Sequence, residues 1–192
     1  MTDDDAAPGD GPGTGDDAPH AAWGATRSKM ITWRDPMVTA RFAPALSGLD
    51  FLSAVRDGTF PPPPMARLMG FALVHVAPGL AVLECTPDES VYNPIGVVHG
   101  GLVSTLADSA AGFAVQSSLE AGVAYTSIDI NVTFLRPVTK DTGLIRATGR
   151  LTKPGRRVAY ATVDVTDGSE RLLARATSSC LVMDNRTSTP GE

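Results

Sequence analysis

Apolar residues recur at helical spacing in one long stretch and at strand-like spacing in six shorter ones. Between Gly100 and about Leu119, the residues Leu102, Leu106, Ala110, Phe113 and Ala114 share one helical face. Glycines and alanines fill much of the rest, which predicts a helix enclosed on most sides. Two strand candidates precede it, 70–78 and 80–87, split by Gly79 and read as a hairpin. Four follow it, 125–138, 142–153, 156–167 and 171–184, with turn signals at 139–141, 154–155 and 167–168. In the first of these four, Ser127, Asp129, Asn131 and Thr133 alternate with Ile128, Ile130, Val132 and Phe134. That pattern predicts one polar and one apolar face. Two strands, one buried helix and four more strands describe an α+β domain of antiparallel strands around one helix.

The N-terminal third reads differently. SGLDFLSAVRDG (47–58) offers Ser47 as an N-cap and Leu49, Leu52 and Val55 as an apolar stripe, so it predicts a short helix ended by Gly58. The four prolines at 61–64 forbid regular structure and predict a stiff spacer, with one short turn after it. Residues 1–36 read as a tail, within which Met30, or Met37 just after it, is an alternative start.

Charge sharpens that boundary. The 192-residue chain has a formal net charge of −5, from 16 basic and 21 acidic side chains. Six of the aspartates lie in residues 1–21, which hold no Lys or Arg. The remainder carries 16 basic against 15 acidic residues and is close to neutral. The acidity thus belongs to the tail, whose Gly, Pro, Asp and Ala content predicts disorder. The tail lacks the basic start and apolar run of a secretory signal. No apolar run reaches the ~18 residues of a membrane span. Cys85 and Cys180 each lie in a strand-like run and match no zinc spacing, so they read as buried thiols in a reducing compartment. His20, His75 and His99 are too scattered to form a metal cluster by themselves. A cytoplasmic protein without metal is the expectation.

Chemistry concentrates in Asn93–Asp108, NPIGVVHGGLVSTLAD. A helix that starts at Gly100 or Gly101 presents unpaired backbone N–H groups at its mouth, at the positive end of its dipole. Glycine there allows a carbonyl oxygen to approach, as an oxyanion hole requires. A tight turn between loop and helix accounts for the same residues. Asp108 tilts the balance, because it is the one charge between Gly100 and Leu119. A lone carboxylate among Ala, Gly and Leu is unfavourable unless it is paired or used. Gly101, Ser104, Thr105, Asp108 and Gly112 form a small or polar stripe on that helix. At 1.5 Å rise per residue, however, Asp108 lies ~12 Å from its own helix mouth. One carbonyl could meet both only if a second copy supplied one of them. An antiparallel helix pair across a two-fold axis, with two equivalent sites per dimer, is therefore expected.

The combination Asn93-Pro-x-Gly96-x-x-His99-Gly100-Gly101 with Asp108, followed by SIDINVTFLRP, resembles the hotdog-fold acyl-CoA thioesterases of the phenylacetate-pathway (PaaI) type. The resemblance covers about residues 64–184 and implies a six-stranded antiparallel sheet wrapped around one long central helix. It divides the chain into a disordered acidic tail (1–36), an N-terminal helix and proline-rich spacer (37–63), a hotdog domain (64–185) and a C-terminal tail (186–192). It implies hydrolysis of acyl-CoA, aryl or short to medium acyl, to free acid and CoA. Asp108 would attack the thioester or activate water. The Gly100 amide would donate to the thioester oxygen, Asn93 would polarise the carbonyl or place the water, and His99 would brace the turn. Ser127 would orient the water, with adjacent Thr126 as the other match. The assembly implied is a homodimer, extending to a dimer of dimers, in which Asp108 and Ser127 of one chain face Asn93 and Gly100 of the next.

Coenzyme A carries phosphates, and Lys153-Pro-Gly155-Arg156-Arg157 holds three cations in five residues, with Arg136 and Lys140 after the preceding long strand. A solvated hairpin tip is the plainer account of these charges. The resemblance points instead to CoA binding by Arg136, Lys153, Gly155, Arg156 and Arg157. These cations are too few, and lack the aromatics, for a nucleic-acid surface. No cofactor is implied, since coenzyme A is part of the substrate. Two other functions compete: a non-catalytic acyl-CoA or acyl-carrier binding module on the same fold, and a hotdog hydratase. The hydratase is the weaker, because His99 and Asp108 are nine apart and share no helical face.

Overall fold

The computed structural model describes residues 23–184. Most of the acidic tail (1–22) and the C-terminal tail (186–192) lie outside the described residues. Residues 23–30 belong to a contact unit separate from the rest and are exposed throughout. The chain from Ile31 onward forms the other.

Three short helices open this second unit. α1 (Pro36–Ala40), absent from the sequence reading, starts with Pro36 in its first turn and is capped by the Asp35 carboxylate, which accepts from the Met37 N–H at 2.9 Å. α2 (Gly48–Arg56) is capped by Ser47, whose Oγ accepts from the Asp50 N–H at 3.1 Å. α3 (Pro64–Met69) corrects the proline reading at its last residue. Pro64 lies in the first turn of the helix, where a missing N–H is harmless, and Gly70 ends it at φ 72°.

The sheet follows. β1 (Phe71–Ala77) and β2 (Leu80–Cys85) form the hairpin. α4 (Gly100–Gln116) comes next, then β3 (Val123–Phe134), β4 (Ile145–Lys153), β5 (Val158–Asp167) and β6 (Leu172–Asp184). All pairings are antiparallel, and the strand order is β1-β2-β4-β5-β6-β3. α4 packs across β2, β3, β4, β5 and β6. Its buried residues, among them Leu102, Leu106, Ala110 and Ala114, form one core with Leu83, Ile145, Val163, Val165 and Leu173. Cys85 and Cys180 are both buried in it. This is the expected sheet around a central helix.

Three element ends differ from the sequence reading for local reasons. α4 stops at Gln116 because the hydroxyls of Ser117 and Ser118 bond back to the carbonyls of Ala114 and Val115. β3 stops at Phe134 because the Leu135 and Arg136 amides both turn to the Leu173 carbonyl. β4 starts late, at Ile145, after a Thr139–Thr142 turn and Gly143 at φ 67°.

The clean alternation expected in β3 is also wrong. Ser127 pairs with Cys180, but Asp129 pairs with Ser179, so Ile128 is an extra residue. Such a bulge reverses the facing of everything after it. Tyr125 and Ser127 point at α4 before the bulge; Val132 and Phe134 do so after it. Ser127 therefore does not share a face with Asn131 and Thr133. β3 is an edge strand, bonded only to β6, and Ile128 and Phe134 are 56% and 54% exposed. On α4, Phe113 lies on the half-exposed side and Gly112 on the buried side, the reverse of the reading from the helical pattern. Among the described residues, no helix is long and apolar enough to cross a membrane.

Candidate active site

The loop before α4 is built by Asn93. Its side-chain oxygen accepts from the Ile95 and Val97 amides at 3.1 and 3.2 Å, and its backbone N–H donates to the Val97 carbonyl at 2.8 Å. Asn93 is thus an Asx turn with its oxygen engaged, which leaves its NH2 to donate outward. The loop then runs into His99, the N-cap of α4.

His99 closes one of the amides expected to be open. Its Nδ1 accepts from the Gly101 N–H at 2.8 Å, and its carbonyl accepts from Leu102 at 3.0 Å. Of the two glycine amides, only that of Gly100 has no acceptor among the described residues. Each glycine also has a steric reason. A Cβ on Gly101 would lie 2.8 Å from His99 Nδ1, and one on Gly100 would lie 3.0 Å from the Phe134 ring. The helix mouth therefore offers one open amide beneath an aromatic ring, beside a pocket of ≈ 350 Å³ that Arg136 also lines.

Two turns into the helix, Asp108 meets Ser127. The Ser127 Oγ donates to Asp108 Oδ1 at 2.9 Å, linking α4 to β3. Thr126, one position earlier on the strand, points the other way. Behind the pair lie two groups that the motif did not flag. Cys180 faces Ser127 across the strands, and burial pushes its thiol up, against hydrogen bonds from Ser178 and Ser127 that lower it. Burial raises the Tyr125 phenol well above its usual range, with Cys180 and Asp108 adding to the effect. Tyr125 was reachable from the sequence by period-two counting, being two residues before Ser127; Cys180 depends on the pairing of β3 with β6.

The predicted phosphate-binding residues do not gather at one place in the chain. Arg136 lines the pocket at the mouth of α4, and its guanidinium donates to the Leu172 carbonyl. Arg156 and Arg157 line a groove of ≈ 650 Å³ beside Ser118 and Leu119, past the other end of α4. A helix of 17 residues separates them, ~25 Å in length. Lys153 Nζ lies 5.9 Å from the centre of the Tyr160 ring. Gly155 makes the hairpin turn, where a Cβ would overlap the Val158 carbonyl. Lys140 pairs with Asp141 at 2.7 Å in solvent. Among the described residues, no group of three or more His, Cys, Asp or Glu could hold a metal ion.

A capped helix mouth with one open amide, and a carboxylate held by a serine hydroxyl, suit attack on an electrophilic carbonyl. Similarity to known proteins points the same way. The family model described as thioesterase superfamily matches residues 95–174. Human acyl-coenzyme A thioesterase 13 is 33% identical over 102 residues, which is 53% of this chain and 71% of that protein. The chain belongs to the thioesterase superfamily. It is therefore an enzyme of thioester hydrolysis. A second member, the 1,4-dihydroxy-2-naphthoyl-CoA hydrolase of Listeria monocytogenes, is 30% identical over 109 residues, 57% of this chain and 87% of that one. Among solved thioesterase structures, a phenylacetic acid degradation-related protein from Ralstonia eutropha superposes with a TM-score of 0.62 at 28% identity, covering 68% of this chain and 98% of that one. The Escherichia coli PaaI protein, at 20% identity and a TM-score of 0.63 over 73% of this chain and 97% of its own, shares the fold. Helices α1 to α3 lie outside the family match.

Proposed function

We propose that this thioesterase hydrolyses acyl-CoA, at sites each shared by two antiparallel chains. The observation that carries the reading is the Ser127–Asp108 hydrogen bond, on a helix whose Gly100 amide is unpaired ~12 Å away. In a two-chain site, the Asp108 carboxylate acts as nucleophile or general base on the thioester carbonyl. Ser127 orients the attacking water against that carboxylate. The Gly100 N–H and the Asn93 NH2 of the second chain hydrogen-bond the oxygen as it gains charge. His99 acts through Gly101, by holding the helix mouth in shape. The thiolate of CoA then leaves; by the general-base route the acid is formed directly, and by the nucleophile route the water hydrolyses the acyl-Asp108 anhydride to release it.

The cations support the same pairing. An antiparallel partner would bring its Arg156 and Arg157 beside Arg136, where a phosphorylated leaving group could meet all three. The exposed edge of β3, with apolar Ile128 and Ile130, is a surface on which a second sheet could pair. The names of the two relatives support CoA as the leaving group. The buried thiols suit a reducing, cytoplasmic setting.

The test is thiol release from a panel of acyl-CoAs, comparing the wild type with Asp108→Asn. Turnover by the wild type and a loss of about a thousandfold or more in the variant are expected, since both attack and proton transfer depend on the carboxylate. A wild type that binds acyl-CoA but releases no thiol would make the protein a binding module.

A further inference from the structure

Two facing rows of residues lead away from Asp108, in the direction opposite the helix mouth. Residues four apart on α4 meet residues two apart on β3: Asp108 with Ser127, Gly112 with Tyr125, then Gln116 with Val123. Each step advances about 6 Å on the helix and about 6.6 Å on the strand, so the two rows stay level. At the second step, a Cβ on Gly112 would lie 2.5 Å from the Tyr125 hydroxyl. Only glycine lets the ring lie against the helix. At the third step the two rows line a cavity of ≈ 410 Å³, which the Tyr125 ring also lines.

The far wall of this cavity is not part of the superfamily match. Ala43, Pro44, Leu46 and Phe51 supply it, from the 3-10 turn before α2 and from α2 itself. That wall is pinned, because the Gly48 N–H donates to the Leu119 carbonyl at 2.9 Å, just past the end of α4. Its lining is largely apolar, and no charged side chain contributes. An apolar cavity of this size lies within the range of small-molecule sites.

We propose that the cavity receives the far end of an extended apolar acyl chain, whose carbonyl lies at Asp108. Residues 43–51 thereby set the acyl length this thioesterase accepts. The inference rests on the Asp108 reading above. An acetyl group ends beside Tyr125 and never reaches the wall; a medium or long chain passes the ring and fills the cavity. Each methylene buried there strengthens binding about 4-fold, until the cavity is full.

The test uses two sets of probes: hydrolysable acyl-CoAs from acetyl to myristoyl, and the matching S-alkyl-CoA thioethers, which bind without turning over. Leu46→Trp and Ala43→Trp fill the cavity without touching Asp108, Ser127, Asn93 or Gly100. Both variants should keep acetyl-CoA turnover within about twofold and lose about tenfold or more on lauroyl-CoA, with the same loss in S-dodecyl-CoA affinity. Wild-type thioether affinity that is flat from ethyl to dodecyl overturns the proposal, as does equal loss on short and long substrates. If a tryptophan variant does not fold, Leu46→Ala decides. It must shift the preferred acyl length upward, and an unshifted preference overturns the proposal. A wild type that binds S-dodecyl-CoA more tightly than S-ethyl-CoA, yet releases no thiol, keeps the cavity assignment and removes only the Asp108 reading.

Discussion

The Ser127 hydroxyl donates to Asp108 from the last position of β3 before the extra residue Ile128. A hydrogen bond to a carboxylate contributes about 1.5–3 kcal/mol, so Ser127→Ala should lower kcat about 10- to 100-fold. KM should change little, because in the proposed site the hydroxyl would serve the attacking group and not substrate binding. Thr126→Ala, on the other face of the strand, should be close to wild type. Steady-state kinetics on one acyl-CoA checks both; similar losses in the two variants would remove Ser127 from the site.

Sharing of the site between chains has a complementation test. Asp108→Asn and Asn93→Ala chains, each impaired alone, are unfolded together and refolded as a mixture. A mixed dimer contains one intact site and one doubly defective site, so the mixture should recover about a quarter of wild-type activity. Sites confined to single chains would show no recovery. Ile130→Asp on the exposed edge of β3 should weaken the dimer in sedimentation and reduce activity with it.

Cation placement predicts a KM effect. Replacing Arg156 and Arg157 by Gln should raise KM for acyl-CoA by about tenfold and leave kcat nearly unchanged, because in the proposed site these side chains would meet the leaving group far from the carbonyl. Added salt should weaken wild-type binding more than that of the double variant. An unchanged KM would return these arginines to an ordinary hairpin tip.

The helix mouth predicts a stability effect. His99→Ala removes the N-cap acceptor of α4 and leaves the Gly101 amide without a partner. Loss of a cap destabilises by about 1 kcal/mol, a fall in Tm of about 2–4 °C for a domain of this size. Restored Tm without restored activity in His99→Asn, an alternative cap, would separate the two contributions of the imidazole.

Asp167 predicts a pH dependence of stability. Its carboxylate accepts from the Arg171 and Ser169 amides at 3.0 and 2.9 Å and pairs with the Arg171 guanidinium at 2.8 Å. The Arg171 amide bond is the largest cause holding its pKa below the usual value, against desolvation that raises it. A depressed folded-state pKa stabilises the fold above about pH 3.9 and ceases to do so as pH falls through the lowered value. Asp167→Asn should therefore melt below the wild type at neutral pH, and the two melting curves should converge in strong acid. Curves equally far apart at pH 2 and pH 7 would show that the carboxylate charge is not involved.

Much of this architecture was legible in the residues. The strand–helix–strand order follows from hydrophobic period, and one charge on an apolar helix marked Asp108 as paired or used; its connection with Ser127 came only from the resemblance. What stayed hidden depends on contacts that period does not encode. The bulge at Ile128 adds no unusual residue, since isoleucine is ordinary in a strand, so the reversal of facing was invisible. Val115 illustrates the same limit: nothing in its apolar character says which side of α4 it takes, and it is fully buried in the core. Phe113 and Phe134 keep the open side. His99 looked like a neighbour of two open amides, whereas its ring occupies one of them. The separation of Arg136 from Arg156 and Arg157 by the length of α4 could not be read from positions only twenty residues apart.

Ile128 has one more consequence. Before it, β3 serves the carboxylate of its own chain through Ser127. After it, Phe134 roofs the mouth of its own helix, the half that a paired chain would use. Under the shared-site reading, a single strand is wired into two catalytic centres at once, and the bulge is the phase change between the two circuits. Deleting Ile128 would restore one continuous alternation and put the halves in step, so that one of them must turn its side chains away from α4. The strand could then serve the carboxylate or the helix mouth, but not both.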